Sequence, residues 1–377
     1  MRIADLGTPA LVLDRAVLAR NCAAMAARMA SHGLCLRPHL KTAKSAEVAK
    51  LATAGQFGGI TVSTLAEARY FAARGFRDIT YAVGIVPAKL DEVAALERNG
   101  ARLTLIADSA EAVAGAAERA GALDSVFRLL IEVDTGGLRG GVLPESGELL
   151  DLGRAIEAAP GLALEGVLTH AGQSYDCRSV AEVRTVAEAE RAGVVTAARR
   201  LSEAGLPCPV VSAGSTPTAV HAESLKGVTE LRPGVYVFFD LDQVGIGACG
   251  LEDIAVSVLA SVIGHNRRAG RVLIDAGALA LSKDVSAGAF MSRVGYGLVC
   301  PAETTVPMDG LYIAEVHQEH GLIAAPAGEP PYDALPIGSK VRILPNHACI
   351  TAAAHPAYDV VEGGPEVIAR WERASGW

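Results

Sequence analysis

The chain lacks several features that would have assigned its class at once. No run approaches the ~18–20 uninterrupted apolar residues that a membrane-crossing helix needs. The opening MRIADLGTPALVLD has no basic segment followed by an apolar one and a small-residue cleavage site, so secretion is not indicated. Positive charge is in deficit: 34 Lys and Arg face 42 Asp and Glu, a net charge of −8. With no long basic run either, a nucleic-acid partner is not expected. The seven cysteines (Cys22, Cys35, Cys177, Cys208, Cys249, Cys300 and Cys349) are odd in number and scattered, without disulfide-framework spacing. There is no solenoid-type repeat and no low-complexity tract. No GxGxxG follows an early strand, which weakens the dinucleotide-binding form of a doubly wound sheet. A reduced, cytoplasmic protein is expected.

What is present is a long, apolar, regularly alternating chain. Its 377 residues exceed one ordinary domain, and half of them are apolar, enough for a sizeable core. Seven apolar runs read as strands: LCLRPHL, GGITVST, DITYAVG, RLTLIAD, VFRLLIEV, ALEGVLTH and PVVSAGS. They are near-continuously apolar, as strands covered on both faces are. Ala-rich helical stretches separate them. The first opens at Asp14, a plausible N-cap, and sets Leu18, Cys22, Met25 and Met29 on one stripe. Repeated βα units predict a (β/α)8 barrel with its chemistry at the C-terminal strand ends. After about residue 245 the texture turns to β-rich pieces, IAVSVLASVIGHN, RVLIDAGALAL and KVRILPNHACIT, joined by Gly- and Pro-bearing turns. ALVLD near the start is expected to join them as a strand, and residues 324–338 to form a long loop.

Chemistry-bearing residues gather at the predicted strand ends. In LCLRPHLKTAKS, residues 34–45, an apolar strand runs into Lys41, flanked by His39 and Thr42. A lysine stripped of water by such a run has a lowered pKa and a nucleophilic amine, suited to a Schiff base with an aldehyde cofactor. The ordinary alternative is a surface lysine. Lys44 is the second candidate and reads as the start of the following helix. SAGSTPT (212–218) offers Gly214, Ser215 and Thr216, and ELRPGVYVFFD (230–240) offers Gly234 and Val235. Two such turns at one barrel mouth would cradle a phosphate, although Ser/Thr/Gly turns are common loops. VDTGGLRGGV (133–142) sets Arg139 in a glycine-rich turn, where a guanidinium can stabilise a phenolate oxygen or simply pair with Asp134. Arg232 is a second buried-arginine candidate. THAGQSY (169–175) places His170 and Tyr175 at another strand end, where a lone histidine is more often a satisfied core residue. In LPNHACIT (344–351), His347 and Cys349 stand two apart, so in a strand both face one way. That suits two ligands of zinc with positions left for water and substrate, though the pair alone could be chance.

Taken in order, TPALVLD, RPHLKT, VDTGGLRGGV, THAGQSY, GSTPT, LRPGVYVFFD, DAGALALSKD and PNHACIT resemble the D-threonine aldolase / D-serine dehydratase family. That family belongs to the alanine-racemase-like, fold-type III pyridoxal-phosphate (PLP) enzymes. The resemblance spans essentially the whole chain. It implies a TIM-like PLP-binding (β/α)8 barrel over residues 15–245. A smaller, mainly β domain over 246–377, joined by residues 1–14, would carry a divalent metal. Position by position, it implies Lys41 as the Schiff-base lysine and Arg139 on the cofactor's phenolate oxygen. Tyr175, Gly214, Ser215, Thr216, Gly234 and Val235 would surround the phosphate. Arg232 would face the pyridine nitrogen and keep it unprotonated. His170 would complete the cofactor site, and His347 and Cys349 would bind the metal, zinc or manganese. Two positions depart from the family pattern: Ala43 and Gln173 stand where it often has histidine. Neither is an implied ligand.

Within the resembling family, His with Cys looks like the dehydratases and His with Asp like the threonine aldolases. A thiolate also favours zinc over manganese. The expected activity is that of a PLP- and metal-dependent lyase on a small D-β-hydroxy-α-amino acid. It would dehydrate D-threo-3-hydroxyaspartate or D-serine to a 2-oxo acid and ammonia. D-threonine aldolase activity is the alternative, and an amino-acid racemase or a non-catalytic PLP carrier the more distant ones. Arg37 or another cation near the mouth is a candidate for a second substrate carboxylate, and a homodimer is expected.

Overall fold

A computed structural model describes residues 1–137 and 139–377. The chain divides into two compact units: residues 25–41, 49–234 and 376–377 form one, and residues 1–24, 42–48 and 235–375 the other. Strand β1 (Ala10–Asp14) belongs to the second unit. The first unit holds β2 (Cys35–Leu36), β3 (Ile60–Val62), β4 (Asp78–Gly84), β5 (Arg102–Ala107), β6 (Phe127–Glu132), β7 (Leu162–Leu168), β8 (Val210–Ala213) and β9 (Glu230–Leu231).

These eight strands form one parallel sheet in the order β2-β9-β8-β7-β6-β5-β4-β3. Its two ends meet at a bridge between His39 and Thr61. There the Leu40 N–H donates to the Thr61 carbonyl at 2.8 Å, and the Thr61 N–H to the Pro38 carbonyl at 2.9 Å. The sheet therefore curls on itself, as repeated right-handed βα crossovers dictate. All seven apolar runs contribute a strand, and the eighth comes from the start of ELRPG. Ile60, Val62, Leu103, Leu105, Leu129, Ile131 and Val167 are buried, because neither face of such a sheet meets water.

Side-chain caps stop the strand-to-helix turns at defined places. Oxygens of Thr64, Ser109, Ser179 and Ser215 accept from the N–H three residues on, opening helices Leu65–Ala72, Ala110–Leu123, Val180–Glu203 and Thr216–His221. Each cap satisfies an otherwise orphaned donor and contributes about 1 kcal/mol. In the helix Arg15–Ser31, the stripe Leu18, Cys22, Met25 and Met29 is buried, and Asp14 Oδ1 accepts from the N–H of Ala16 at 2.9 Å.

The second unit is built on a nine-stranded mixed sheet. To β1 it adds β10 (Val256–Asn266), β11 (Arg271–Ile274), β12 (Leu298–Pro301), β13 (Tyr312–Val316), β14 (Gly321–Ala324), β15 (Lys340–Leu344), β16 (Ala357–Val361) and β17 (Ala369–Glu372). ALVLD pairs antiparallel with β10 and parallel with β16. Two of the expected strands end early. RVLIDAGALAL gives way to a short helix at Ala278–Leu281, and KVRILPNHACIT to another at Ala348–Ala353. In the latter, Pro345 has no N–H to extend the ladder, and buried Asp240 accepts the Ala348 N–H at 2.9 Å to start the helix. No helix among the described residues is long and apolar enough to cross a membrane.

Gly166 shows how closely the barrel strands approach. Its φ is +132°, and a Cβ there would lie 2.0 Å from the carbonyl oxygen of Val210, its partner on β8. Gly166→Ala is expected to cost more than about 1 kcal/mol, read as a lower urea midpoint at unchanged slope.

Candidate active site

The carboxyl ends of the parallel strands gather most of the first unit's candidates. Lys41 leaves β2 through a turn and is exposed, its N–H 3.5 Å from His39 Nδ1. The desolvation expected from an apolar run does not apply: the strand ends at Leu36, and although the chain stays buried through Leu40 and again at Thr42, Lys41 itself is exposed. Lys44 does not start a helix either. It takes a left-handed φ of +49°, and the helix begins at Ala46.

Charge defines the neighbourhood of Lys41. Burial, with Lys41, Arg232 and Arg139 close by, lowers the His170 pKa to about 3. Burial, then Lys41, Arg232 and His170, likewise hold His39 well below its ordinary value. Both imidazoles are therefore neutral near pH 7, and their shared neighbours bring Lys41, His39, His170 and Arg232 into one cluster. Arg232 is buried, with Nε donating to Ser212 Oγ at 2.7 Å and an Nη donating to the Thr169 carbonyl. Burial pulls its pKa down, and the carboxylates of Glu230, Glu190 and Glu132 oppose that.

Arg139 lies at an exposed turn and lines a cavity of about 220 Å³ together with Glu132, Thr135, His170 and Gln173. Asp134, its expected alternative partner, uses Oδ1 to accept the N–H groups of Gly136 and Gly137 at 2.8 and 2.5 Å. Arg37 is not available to a substrate carboxylate. It is buried, with Nε on Glu230 Oε2 and Nη1 on Asp78 Oδ1, both at 2.7 Å, and its guanidinium lies over the Phe57 ring.

The turn carrying Gly214, Ser215 and Thr216 follows β8. Gly214 has a φ of +101°, and a Cβ there would press on Leu231 at 3.1 Å. Its N–H donates to Glu190 Oε1 at 3.0 Å, and the Ser215 N–H to Thr218 Oγ1 at 2.9 Å. Two of the expected phosphate donors are thus committed inside the protein. Ser215 Oγ lies 2.8 Å from Ser174 Oγ in the turn Gly172–Asp176, which also holds half-buried Tyr175. Thr216 is buried at the helix start. Gly234 closes the first unit after Pro233, whose carbonyl accepts the His39 N–H at 2.9 Å. Val235, next in the chain, belongs to the second unit and opens a 3-10 turn. Sequence reading missed Glu190. In AEAERAG it looks like one more charge on a solvated helix, yet it is 3% exposed.

In the second unit, His347 and Cys349 do not share a strand face. His347 precedes the helix Ala348–Ala353 and Cys349 lies in its first turn. Their side chains are nevertheless neighbours, and Thr42 Oγ1 lies 3.0 Å from Cys349 Sγ. His347 Nδ1 is 2.8 Å from Asp284 Oδ2, and Asp284 Oδ1 accepts the Ser286 N–H at 2.8 Å. Burial works against a charged His347, but Asp284, Cys349 and Asp240 push its pKa up to about 11. The same hydrogen bond lowers Asp284 to about 2, while burial raises Asp240 to about 7. Asp284 closes the motif DAGALALSKD, whose last carboxylate had no assigned role.

The donor chemistry suits both implied groups. An accessible amine, two neutral imidazoles, a fixed guanidinium and hydroxyl-bearing turns stand around the strand ends, as an anionic aldehyde cofactor requires. A carboxylate-braced imidazole beside a thiol is a nitrogen–sulfur donor pair with an outer-shell support. Among the described residues, no group of three or more His, Cys, Asp or Glu is arranged to hold a metal, so the set is a pair.

Known proteins place this architecture. The profile of the alanine racemase N-terminal domain matches residues 13–242, and that of a putative serine dehydratase domain matches residues 255–361. The D-threo-3-hydroxyaspartate dehydratase of Delftia sp. (strain HT23) is 46% identical over 376 residues, covering 99% of this chain and 98% of that one. A solved cysteine-to-alanine variant of D-threo-3-hydroxyaspartate dehydratase, in the metal-free form, superposes with a TM-score of 0.97 at 45% identity, covering 100% of both chains. The D-serine dehydratase of Dictyostelium discoideum is 31% identical, over 100% of this chain and 98% of that one. The structure of D-threonine aldolase from Filomicrobium marinum gives a TM-score of 0.85 at 27% identity, covering 98% and 96%. The chain belongs to the alanine-racemase-like family of PLP-dependent lyases that includes the D-serine dehydratases and D-threonine aldolases.

Proposed function

We propose that this protein dehydrates a D-β-hydroxy-α-amino acid, D-threo-3-hydroxyaspartate in the first place and D-serine in the second, to a 2-oxo acid and ammonia. The observation that carries the reading is the His347–Cys349 pair with its Asp284 brace, an N,S donor set of the kind expected for a dehydratase. Identity of 46% over nearly the whole chain to a D-threo-3-hydroxyaspartate dehydratase supports the substrate.

Lys41 would hold PLP, with Arg139, His170, Tyr175, Arg232 and the turns Gly214–Thr216 and Gly234–Val235 around it. His347 and Cys349 would hold a divalent metal, zinc by the softness of the thiolate. When bound, PLP supplies an electron sink for charge developing at Cα, and the metal a Lewis acid for the departing β-hydroxyl.

The chain's own residues do the rest. Lys41, accessible at the strand end, takes the Cα proton. Arg232 is held in place by Ser212 and Thr169 and does not readily give up a proton, so the pyridine nitrogen it would face stays unprotonated. Neutral His170 and His39 add no charge beside the amine. Asp284 fixes the tautomer and direction of His347, leaving the other ring nitrogen for a ligand. Loss of water leaves an enamine, which tautomerises and takes up water to give the 2-oxo acid and ammonia. The seven free thiols suit the reducing cytoplasm, and a homodimer is expected from the class of architecture.

Three measurements test this reading. Lys41→Ala should abolish the visible absorbance of lysine-bound PLP, and its persistence would move the attachment point to Lys44. Treatment with EDTA should remove turnover of β-hydroxy amino acids while PLP stays bound; full activity of metal-free protein would exclude the metal role. Incubation with D-threo-3-hydroxyaspartate, D-serine and D-threonine should yield 2-oxo acid from the first two. Glycine and an aldehyde as main products would make the protein an aldolase.

A further inference from the structure

We propose that Glu190 is the positioning residue of the cofactor's phosphate cradle, a buried carboxylate that locks two strand-end loops into one receptor. The inference rests on the PLP reading above and concerns this chain's own residues. Glu190 comes from the middle of the helix Val180–Glu203 and is buried. Its Oε1 accepts the Ala171 N–H at 2.8 Å and the Gly214 N–H at 3.0 Å. Its Oε2 accepts the Thr218 hydroxyl at 2.8 Å. Ala171 follows β7 and Gly214 follows β8, so one side chain ties the exits of two neighbouring strands.

The tie continues into the hydroxyls. Thr218 Oγ1 lies 3.0 Å from Ser215 Oγ, which lies 2.8 Å from Ser174 Oγ, the residue before Tyr175. The acceptor at Glu190 thus sets the direction of a chain of hydroxyls that ends on both loops. Burial raises the pKa of this carboxyl, so placing it here has a cost that an apolar residue would avoid. Three donors at good distance offset that cost, and what they gain is a fixed spacing between loop 170–176 and turn 213–218. A phosphate held by several converging groups needs that spacing kept to a fraction of an ångström. Glu190 touches no substrate or cofactor atom in this scheme, so its effect must pass through the loops.

The test compares full-length variants in uptake of PLP and of pyridoxal, which lacks the phosphate, each followed by visible absorbance in the apoprotein. Glu190→Gln keeps the shape and its amide oxygen can still accept both N–H groups, but its amide nitrogen meets the Thr218 hydroxyl, reverses that hydrogen bond and turns the run of hydroxyls beyond it. It should weaken PLP by about tenfold and leave pyridoxal affinity unchanged. Thr218→Val removes one of the three contacts and should weaken PLP several-fold, while Thr218→Ser, which keeps the hydroxyl, should restore it. The Thr218 pair decides the matter if Glu190→Gln does not fold. The phosphorus resonance of bound PLP should shift in the weakened variants. Equal weakening of PLP and pyridoxal, or wild-type PLP affinity and phosphorus resonance in Thr218→Val, would overturn the proposal. A wild-type protein that takes up no PLP overturns the underlying cofactor reading, and the proposal with it.

Discussion

One chain of buried polar contacts holds the mouth of the barrel together: Arg37 to Glu230, Glu230 to Ser212, Ser212 to Arg232, and Arg232 to the Thr169 carbonyl. These five residues sit at or just beyond strands β2, β9, β8 and β7. A buried guanidinium is tolerated only where its donors are engaged, so each of the two arginines requires the acceptors beside it. The consequence is a rim whose geometry is set by directional bonds as well as by apolar packing. Every candidate cofactor residue of the first unit except Arg139, whose turn follows β6, is mounted on that rim or on the turns that leave it.

The same residue type is driven toward different protonation states in the two units for reasons that can be named. His170 is half-buried among Lys41, Arg232 and Arg139, and both burial and like charge keep it neutral. His347 is half-buried too, but a carboxylate 2.8 Å away and a thiol beside it reverse the balance. The first arrangement leaves the surroundings of the lysine amine without an added imidazolium. The second aims an imidazole and gives it the outer-shell partner that metal-binding histidines ordinarily have. Function here is a matter of neighbours more than of residue identity.

Much of the barrel was legible in the chain. Parallel strands buried on both faces must be continuously apolar, and runs such as RLTLIAD and VFRLLIEV stand out against the Ala-rich helices between them. The placement of Lys41, His170 and Gly214 at strand ends followed from the same pattern. The β-rich unit was less legible. Pro345 ends a strand that the apolar pattern would have carried through Cys349, and β12, β13 and β14 lie in stretches without a clear period. Arg37 shows a different limit, since an arginine at a strand end reads the same whether it awaits a substrate or is already bound to Glu230 and Asp78.

By itself the amino-acid order determined the eight-fold βα repeat, because hydrophobic period and capping residues are local properties that survive in one dimension. It also determined which side chains could serve as amine, imidazole, thiol and guanidinium. Only the tertiary structure decided that Glu190 faces inward on two loops, that Asp284 braces His347, and that Lys41 stands in water. Those facts depend on contacts between residues tens of positions apart, and a carboxylate in a helix carries no mark of what will pack against it.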